Sequence, residues 1–560
     1  MKILLLSLII SPVFASDWPQ WSGDQRNHHN MTPERPVLSP ANVKNMKMRW
    51  VTTVDSSIVD TPTVAEGKIY FNDIAKIGVE GAFTGGHLYS ADAATGSVLW
   101  KEKIDTYSGS GVRNFSRSSP AISGNRLVIG DSVNNIKFIV RLMVARKTIP
   151  GTSVIAVDRT TGKLLWKTMV EDHFASRITM SPVIHGNQVF VGVSSIESEI
   201  PAVKGELYKC CTFKGSFVSL DLTTGKLLWK TPMIAKGLEN SGAPVWGNSP
   251  PIDVKRNRIY IGSGNNYHAT KAMMNCYMEG MKKDPTRETA ITLACAQKHD
   301  NPENRFDSLS ALDMKTGKII WSVKTNIYDA WNVGCGSKFT SFPRRNERIC
   351  PKPEGMDGDF AQAPMLMTIN GQDILVAGQK NGMFWALDAE TGKTIWSKQV
   401  GPGGKLGGHQ WGSATDGKRV FFQTTNLEHN EIVINGKTIR GGYWGALDPM
   451  TGNVLWETPD PNTEFPLLGE GIDHWIYGKN LGRGYFAAPM GPLTYYNGLV
   501  FGGSFSGLMV AMNAATGEIL WKHETKGSVV TAPSIVNDQL FWGVGYHLGF
   551  QDDKLYSFGL

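Results

Sequence analysis

The stretch ALDMKTGKIIW, residues 311–321, decides the fold. It reads as a hydrophobic strand, a turn at Thr316-Gly317, and a second strand that closes on Trp321. Asp313 sits just before the turn, where its side chain can accept from nearby backbone N–H groups. Gly317 supplies the positive φ that such a turn needs. The phrase returns nearly complete as ADAATGSVLW (91–100), AVDRTTGKLLW (156–166), SLDLTTGKLLW (219–229), ALDAETGKTIW (386–396), ALDPMTGNVLW (446–456) and AMNAATGEILW (511–521). A last copy, KMRW (47–50), keeps only the tail. Recurrence of one strand–turn–strand unit is the mark of a repeat architecture.

Successive phrase-ending Trp residues are 50 to 92 residues apart. A four-stranded propeller blade takes about 40–45 residues, so the surplus belongs to loops. The longest interval, Trp229 to Trp321, holds a Met- and Cys-rich segment over 271–305, in which a short helix is expected at 284–297. Each phrase is preceded by paired strands such as SPAISGNRLVIG (119–130), SPVIHGNQVFVG (181–192) and PPIDVKRNRIYIG (250–262), read as β-hairpins from their alternation and turn residues. After Trp521 the chain supplies TAPSIVNDQLFWGVG (531–545) and DDKLYSFGL (552–560), strands with no closing Trp phrase. KMRWVTTV (47–54) supplies the missing strand, and sharing one blade between the chain ends removes an open sheet edge. The expectation is an all-β, eight-bladed propeller forming a single domain over 16–560, its last blade closed by the N-terminal strand. The phrase-ending Trp residues are read as packing elements that tie neighbouring blades together.

Length alone, 560 residues, suggests several domains, but a radial array can use all of it. Charged residues are 19% and hydrophobic residues 41% of the chain, as in folded proteins. The net charge of +7 is not gathered into a Lys/Arg run, which argues against a nucleic-acid partner. Residues 1–15, MKILLLSLIISPVFA, have the basic start, apolar run and small-residue exit of a secretory leader, with the mature chain beginning near Ser16 or Asp17. No other stretch is long and apolar enough to span a bilayer. A periplasmic or secreted location is expected, and the six cysteines suit such an oxidising space. Cys276 with Cys295, and Cys335 with Cys350, are the expected pairs. The adjacent Cys210 and Cys211 form either a vicinal bridge or two free buried thiols.

Between the phrases lie CCTFKGSFVSLD (210–221), FDSLSALD (306–313), DAWNVGC (329–335), DFAQAPML (359–366), GQKNGMFWALD (378–388) and GPGGKLGGHQWGSATDG (401–417). With the repeated phrase, these make the chain, from Trp18 to its C-terminus, resemble the quinoprotein dehydrogenases, in particular the polyvinyl-alcohol dehydrogenase branch. The resemblance implies an eight-bladed propeller holding pyrroloquinoline quinone (PQQ) on its axis. A flat tricarboxylate needs a planar face, cations for its carboxylates, a positive charge at the reactive carbonyl, and a base for the substrate hydroxyl.

The resemblance assigns these parts. Trp246, in VWGNSPPID, matches the tryptophan on which the ring stacks, and Cys210-Cys211 supplies the opposing face. Arg117, in SRSSPAI, and Thr179, in RITMSPV, match the groups that bind cofactor carboxylates. Lys380, in GQKNG, matches the cation at the quinone oxygens, with a cofactor-binding and a catalytic role. Asn265, in GSGNN, matches a metal ligand. Asn332 stands where relatives place an aspartate that is both metal ligand and base, and the Cys pair falls where they place a calcium-binding glutamate. Loss of two carboxylates weakens a Ca²⁺ site, because that ion prefers several oxygen ligands of net negative charge. Glu206 lies nearby as a compensating carboxylate. Asp329 is the substitute candidate for the catalytic base, with Asp357 and Asp359 behind it.

No C-x-x-C-H haem motif, H-E-x-x-H, Walker loop or G-x-S-x-G elbow occurs. His28-His29 reads as an exposed N-terminal loop, and His409 is placed at the axial funnel. The expected function is PQQ-dependent oxidation of a small-molecule or polymeric alcohol, with electrons leaving to a separate acceptor such as a cytochrome c. The alternative is a non-catalytic envelope propeller that serves as a binding or assembly scaffold.

Overall fold

From Trp50 to Trp456, the indole of each repeat sits on the turn of the next. A Cβ on Gly317 would lie 2.5 Å from the Trp229 ring, and one on Gly225 would lie 2.6 Å from Trp166. Trp229 Nε1 donates to Met314 O at 3.0 Å, Trp166 to Leu222 O at 2.9 Å, and Trp456 to Ala514 O at 3.1 Å. Asp313 Oδ1 accepts from Thr316 N at 2.8 Å and from Thr316 Oγ1 at 2.7 Å, which closes the turn. These contacts repeat around the chain, so the phrase encodes both the hairpin and its docking on the next unit. Gly317 combines φ +70° with that close approach. Gly317→Ala is expected to destabilise the fold by about 1–3 kcal/mol through backbone strain and displacement of the ring. A urea midpoint equal to wild type would contradict this docking.

The computed structural model describes residues 17–74, 85–109, 114–133, 149–201, 207–336, 345–464, 486–546 and 550–560. The expected leader (1–15) and Glu206 lie outside the described residues. Antiparallel strands form an eight-bladed propeller. One blade is Ile252–Asp253, Arg258–Gly262, Ser308–Asp313 and Ile319–Lys324, and the next is Met365–Ile369, Gln372–Gly378, Met383–Asp388 and Thr394–Gln399. Strand Lys47–Thr53 pairs antiparallel with Lys554–Gly559, in the sheet that also holds Gln539–Gly543 and Ser534–Val536. Third strands such as Leu508–Asn513 bury five successive residues, because blades cover them on both faces. Fourth strands such as Val98–Lys103 face outward and alternate.

The blade closed by Trp229 extends beyond four strands. From Gln188–Ser195 it continues through Ser176–Arg177 and Ser132–Val133 to Asn114–Phe115. This extension brings the 114–117 and 176–179 segments together.

Two expectations need correction. The insertion holds two helices, Lys271–Lys283 and Glu288–His299, where one was expected at 284–297. Thr270 caps the first, and Asp284, with φ −151° and ψ 90°, breaks the chain between them. The first helix was hidden because its buried residues, Met273 and Tyr277, make only a short stripe. The second correction concerns the N-terminal segment, which is no exposed loop. Trp18 bridges Val64, Ile122 N donates to Pro19 O, Ile252 N to Gln25 O, Leu366 N to Arg26 O, Thr415 N to His28 O and Tyr495 N to His29 O. It therefore laces successive blades, and His29 is fully buried against Trp21. Burial holds the His29 imidazole down to about 3, so it is neutral. His28 is engaged as well, by Asp24 at 2.8 Å and Leu366 O at 2.7 Å.

Candidate active site

Asp359 organises the centre of the site. Its Oδ2 accepts from Trp246 Nε1 at 2.9 Å, its Oδ1 accepts from Asn265 N at 2.6 Å, and its carbonyl accepts from Lys380 N at 3.0 Å. Three residues singled out in the sequence are thus fixed by one aspartate. Asn265 lies just past strand Arg258–Gly262 and Lys380 just past Gln372–Gly378, so the rigid blades carry both.

Lys380 is buried, with Nζ 2.6 Å from Asp357 Oδ2 and 6.0 Å from the Trp246 ring centroid. Burial alone would lower its pKa. The charges of Asp357 and Asp359 outweigh burial and raise it, so the ammonium stays charged. Asp357 is pushed up to about 7, chiefly by burial and against the pull of Lys380. A buried cation beside a carboxylate that titrates near neutrality suits proton acceptance.

Asp329 was expected as the catalytic base, and its carboxylate oxygens are engaged by backbone amides. Asp329 is fully buried and accepts from Asp357 N at 3.1 Å and Gly358 N at 2.6 Å. It shapes the loop that presents Asp357. Burial raises its carboxyl to about 6, and burial together with the Asp329 charge pushes Asp307 well above the carboxylate range. Asp357, a lesser candidate in the sequence, is the carboxylate in contact with Lys380.

Asn332 is consumed by structure. Its Oδ1 accepts from Gly334 N at 2.9 Å, and its Nδ2 donates to Ile349 O at 3.0 Å and Tyr267 O at 3.2 Å. Asn265 Nδ2 donates to Asn266 O and Trp331 O. Asp329, Asp357 and Asp359 already have the partners named above. This donor set does not fit Ca²⁺, because the amide oxygen expected from Asn332 caps a helical turn and the carboxylate beside Asn265, that of Asp359, is engaged by Trp246 Nε1 and Asn265 N.

Cys210 and Cys211 are bridged, with Cα atoms 3.1 Å apart, and Cys276–Cys295 and Cys335–Cys350 are bridged as expected. The vicinal pair touches the site through Asn332 Nδ2, 4.0 Å from Cys210 Sγ. Its seat is Glu197, which the sequence reading missed. This fully buried carboxylate accepts from Tyr208 Oη at 2.5 Å, Thr212 N at 2.8 Å and Phe213 N at 2.7 Å. Burial would raise its pKa, but the hydrogen bonds led by His173 outweigh that and lower it. No motif marks Glu197, because its partners come from a loop 11–16 residues away.

The far rim carries the cations. The Arg117 guanidinium lies 5.2 Å from the Trp411 ring and 5.6 Å from the Tyr546 ring, and Trp411 meets Trp246 edge to face at 5.5 Å. Thr179 Oγ1 is 3.1 Å from Ser194 Oγ. His409, expected at the funnel, is instead buried, its ring nitrogens 2.9 Å from Gln423 O and 3.1 Å from Gly382 O, and burial lowers it to about 4. It props the 401–417 loop.

The chemistry of these residues fits PQQ: an indole at Trp246, a buried ammonium at Lys380 and a guanidinium at Arg117 without a carboxylate partner among the described residues suit a flat polyanion.

The family model described as outer membrane protein assembly factor BamB (PQQ_2) matches residues 34–206, 290–469 and 441–548. The polyvinylalcohol dehydrogenase of Sphingopyxis sp. (strain 113P3) is 28% identical over 541 residues, covering 93% of this chain and 69% of that protein. A polyvinylalcohol dehydrogenase of Pseudomonas sp. is 26% identical over 533 residues, covering 92% and 69%. The crystal structure of quinohemoprotein alcohol dehydrogenase from Comamonas testosteroni superposes with TM-score 0.62 at 17% identity, covering 97% of this chain and 80% of that one. With the repeated Trp phrase closing an eight-bladed ring, the chain belongs to the PQQ_2 family and is similar to the polyvinylalcohol dehydrogenases among the quinoproteins.

Proposed function

We propose that this chain is an extracytoplasmic, PQQ-dependent dehydrogenase that oxidises alcohol groups of small or polymeric substrates and yields two electrons to a separate acceptor such as a cytochrome c. The observation that carries the reading is the buried Lys380–Asp357 pair beside the indole of Trp246. A scaffold gains nothing from burying an ion pair there, since desolvating it is costly. Three disulfides support an oxidising compartment. Among the described residues no helix is long and apolar enough to cross a membrane.

Trp246 would stack on the cofactor, Cys210–Cys211 would cover its other face, and Arg117 and Thr179 would hold its carboxylates. When bound, the quinone supplies a two-electron acceptor. Lys380 fixes positive charge where negative charge develops, in a site closed to water. Asp357 accepts the substrate hydroxyl proton, and Asp329 and Asp307 keep its loop in place. Because Asp357 works as the ionised form, falling pH fills it with a proton. Turnover is therefore expected to drop through about pH 7 and then about tenfold per unit below. Dye reduction by the PQQ-treated protein, followed from pH 5 to 9 with primary, secondary and polymeric alcohols, tests both points. A rate that holds or rises toward pH 5 overturns the Asp357 assignment, and no PQQ-dependent rate with any alcohol overturns the function.

A further inference from the structure

Arg177 lies on the two-residue strand Ser176–Arg177, held on one side by Ser194 and Ser195 and on the other by Ser132. Arg177 pairs in register with Ser194, which puts those two side chains on the same face of the sheet. Thr179 joins Ser194 there through their hydroxyls at 3.1 Å. Arg177 Nε is buried without a hydrogen-bond partner. Among the described residues neither Arg177 nor Arg117 has a carboxylate at ion-pair distance. The groups that act on Arg177 are burial first, then Glu199, Arg117, Tyr267 and Tyr546, and the net effect lowers its pKa. Glu199 attracts it from beyond contact, while Arg117 repels it.

Two guanidiniums that feel each other's charge, one with an unmatched buried N–H, are costly unless an anion neutralises them. Arg117 is held by aromatic faces and one weak contact, its Nη2 3.3 Å from Tyr546 Oη, so its charge is also left for a ligand. Planar forks of this kind match carboxylates bidentately. We propose that Arg177 is a second guanidinium anchor for the cofactor's carboxylates, and that Arg117 and Arg177 together make the site select an aromatic polycarboxylate over an uncharged quinone. This rests on the quinone-binding reading above. It adds a residue that the sequence motifs did not assign and a charge requirement that can be measured on binding alone.

The test uses apo protein titrated with PQQ and with its trimethyl ester, read by quenching of tryptophan fluorescence, at two salt concentrations. Wild type should bind PQQ at least about 100-fold more tightly than the ester, with affinity falling as salt rises. Arg177→Gln should weaken PQQ binding about 10- to 100-fold, leave ester binding within about twofold, and keep or raise the apo melting temperature, because an unmatched buried N–H has gone from a partly buried side chain. Arg177→Lys should fall between the two. PQQ binding by Arg177→Gln within twofold of wild type overturns the proposal. So does a lowered apo melting temperature with an unchanged preference for PQQ over the ester. If the variant cannot be purified, equal wild-type affinity for PQQ and ester overturns it instead. Absence of PQQ binding by wild type would sink the functional reading itself, a separate outcome.

Discussion

Lys380→Ala should abolish PQQ-dependent alcohol oxidation, with a loss of at least about 10³-fold in turnover, while the ring remains folded. The ammonium is the positive charge nearest the Trp246 face, 6.0 Å from its centroid, and buried cations of this kind supply several kcal/mol where charge develops. Its removal also strips Asp357 of its 2.6 Å partner. Burial and Asp359 then push that carboxyl further up, so the proton acceptor is lost together with the electrostatic stabiliser. Turnover with saturating PQQ, measured beside a thermal melt, checks this. Activity within tenfold of wild type would mean that Lys380 is a structural ion-pair partner and no more.

Glu197→Ala should have the largest effect on the architecture of the site. The substitution leaves Phe213 N without an acceptor in a buried setting and Thr212 N without one in a part-buried setting, both now held by Glu197 at 2.8 Å or less. Unpaired buried groups cost about 1–3 kcal/mol each, so a loss of about 3 kcal/mol is expected. Because those amides directly follow Cys210–Cys211, the loop carrying the vicinal pair should loosen and PQQ affinity should fall at least about tenfold. The urea midpoint and a PQQ titration read the two effects. If both stay at wild-type values, Glu197 does not seat the disulfide.

Much of the fold was legible because its information is local. The Asp–Thr–Gly turn, the positive φ at Gly317 and the Trp that docks on it lie within one eleven-residue phrase, so each repeat states its own contacts. The loops were less legible. The 271–283 helix carries a stripe of only two buried residues, and the lacing segment around His29 hides its partners in distant blades. The site divides the same way. Trp246, Arg117 and Lys380 sit in recurring inter-phrase motifs. Nothing in DAWN reveals that the oxygens of Asp329 accept from the amides of residues 357 and 358. Arg177 stands two residues before Thr179, so its nearness in sequence could have flagged it; Glu197 left no trace of that kind.

A crystal structure of the protein loaded with PQQ most directly tests whether the hub of the ring is a quinone site. The expected result is planar density about 3.5–4 Å from the Trp246 indole, with carboxylates toward Arg117 and carbonyls toward Lys380. Quinone bound elsewhere on the propeller, or side chains closing the space over Trp246 in protein that still oxidises alcohols, would contradict it.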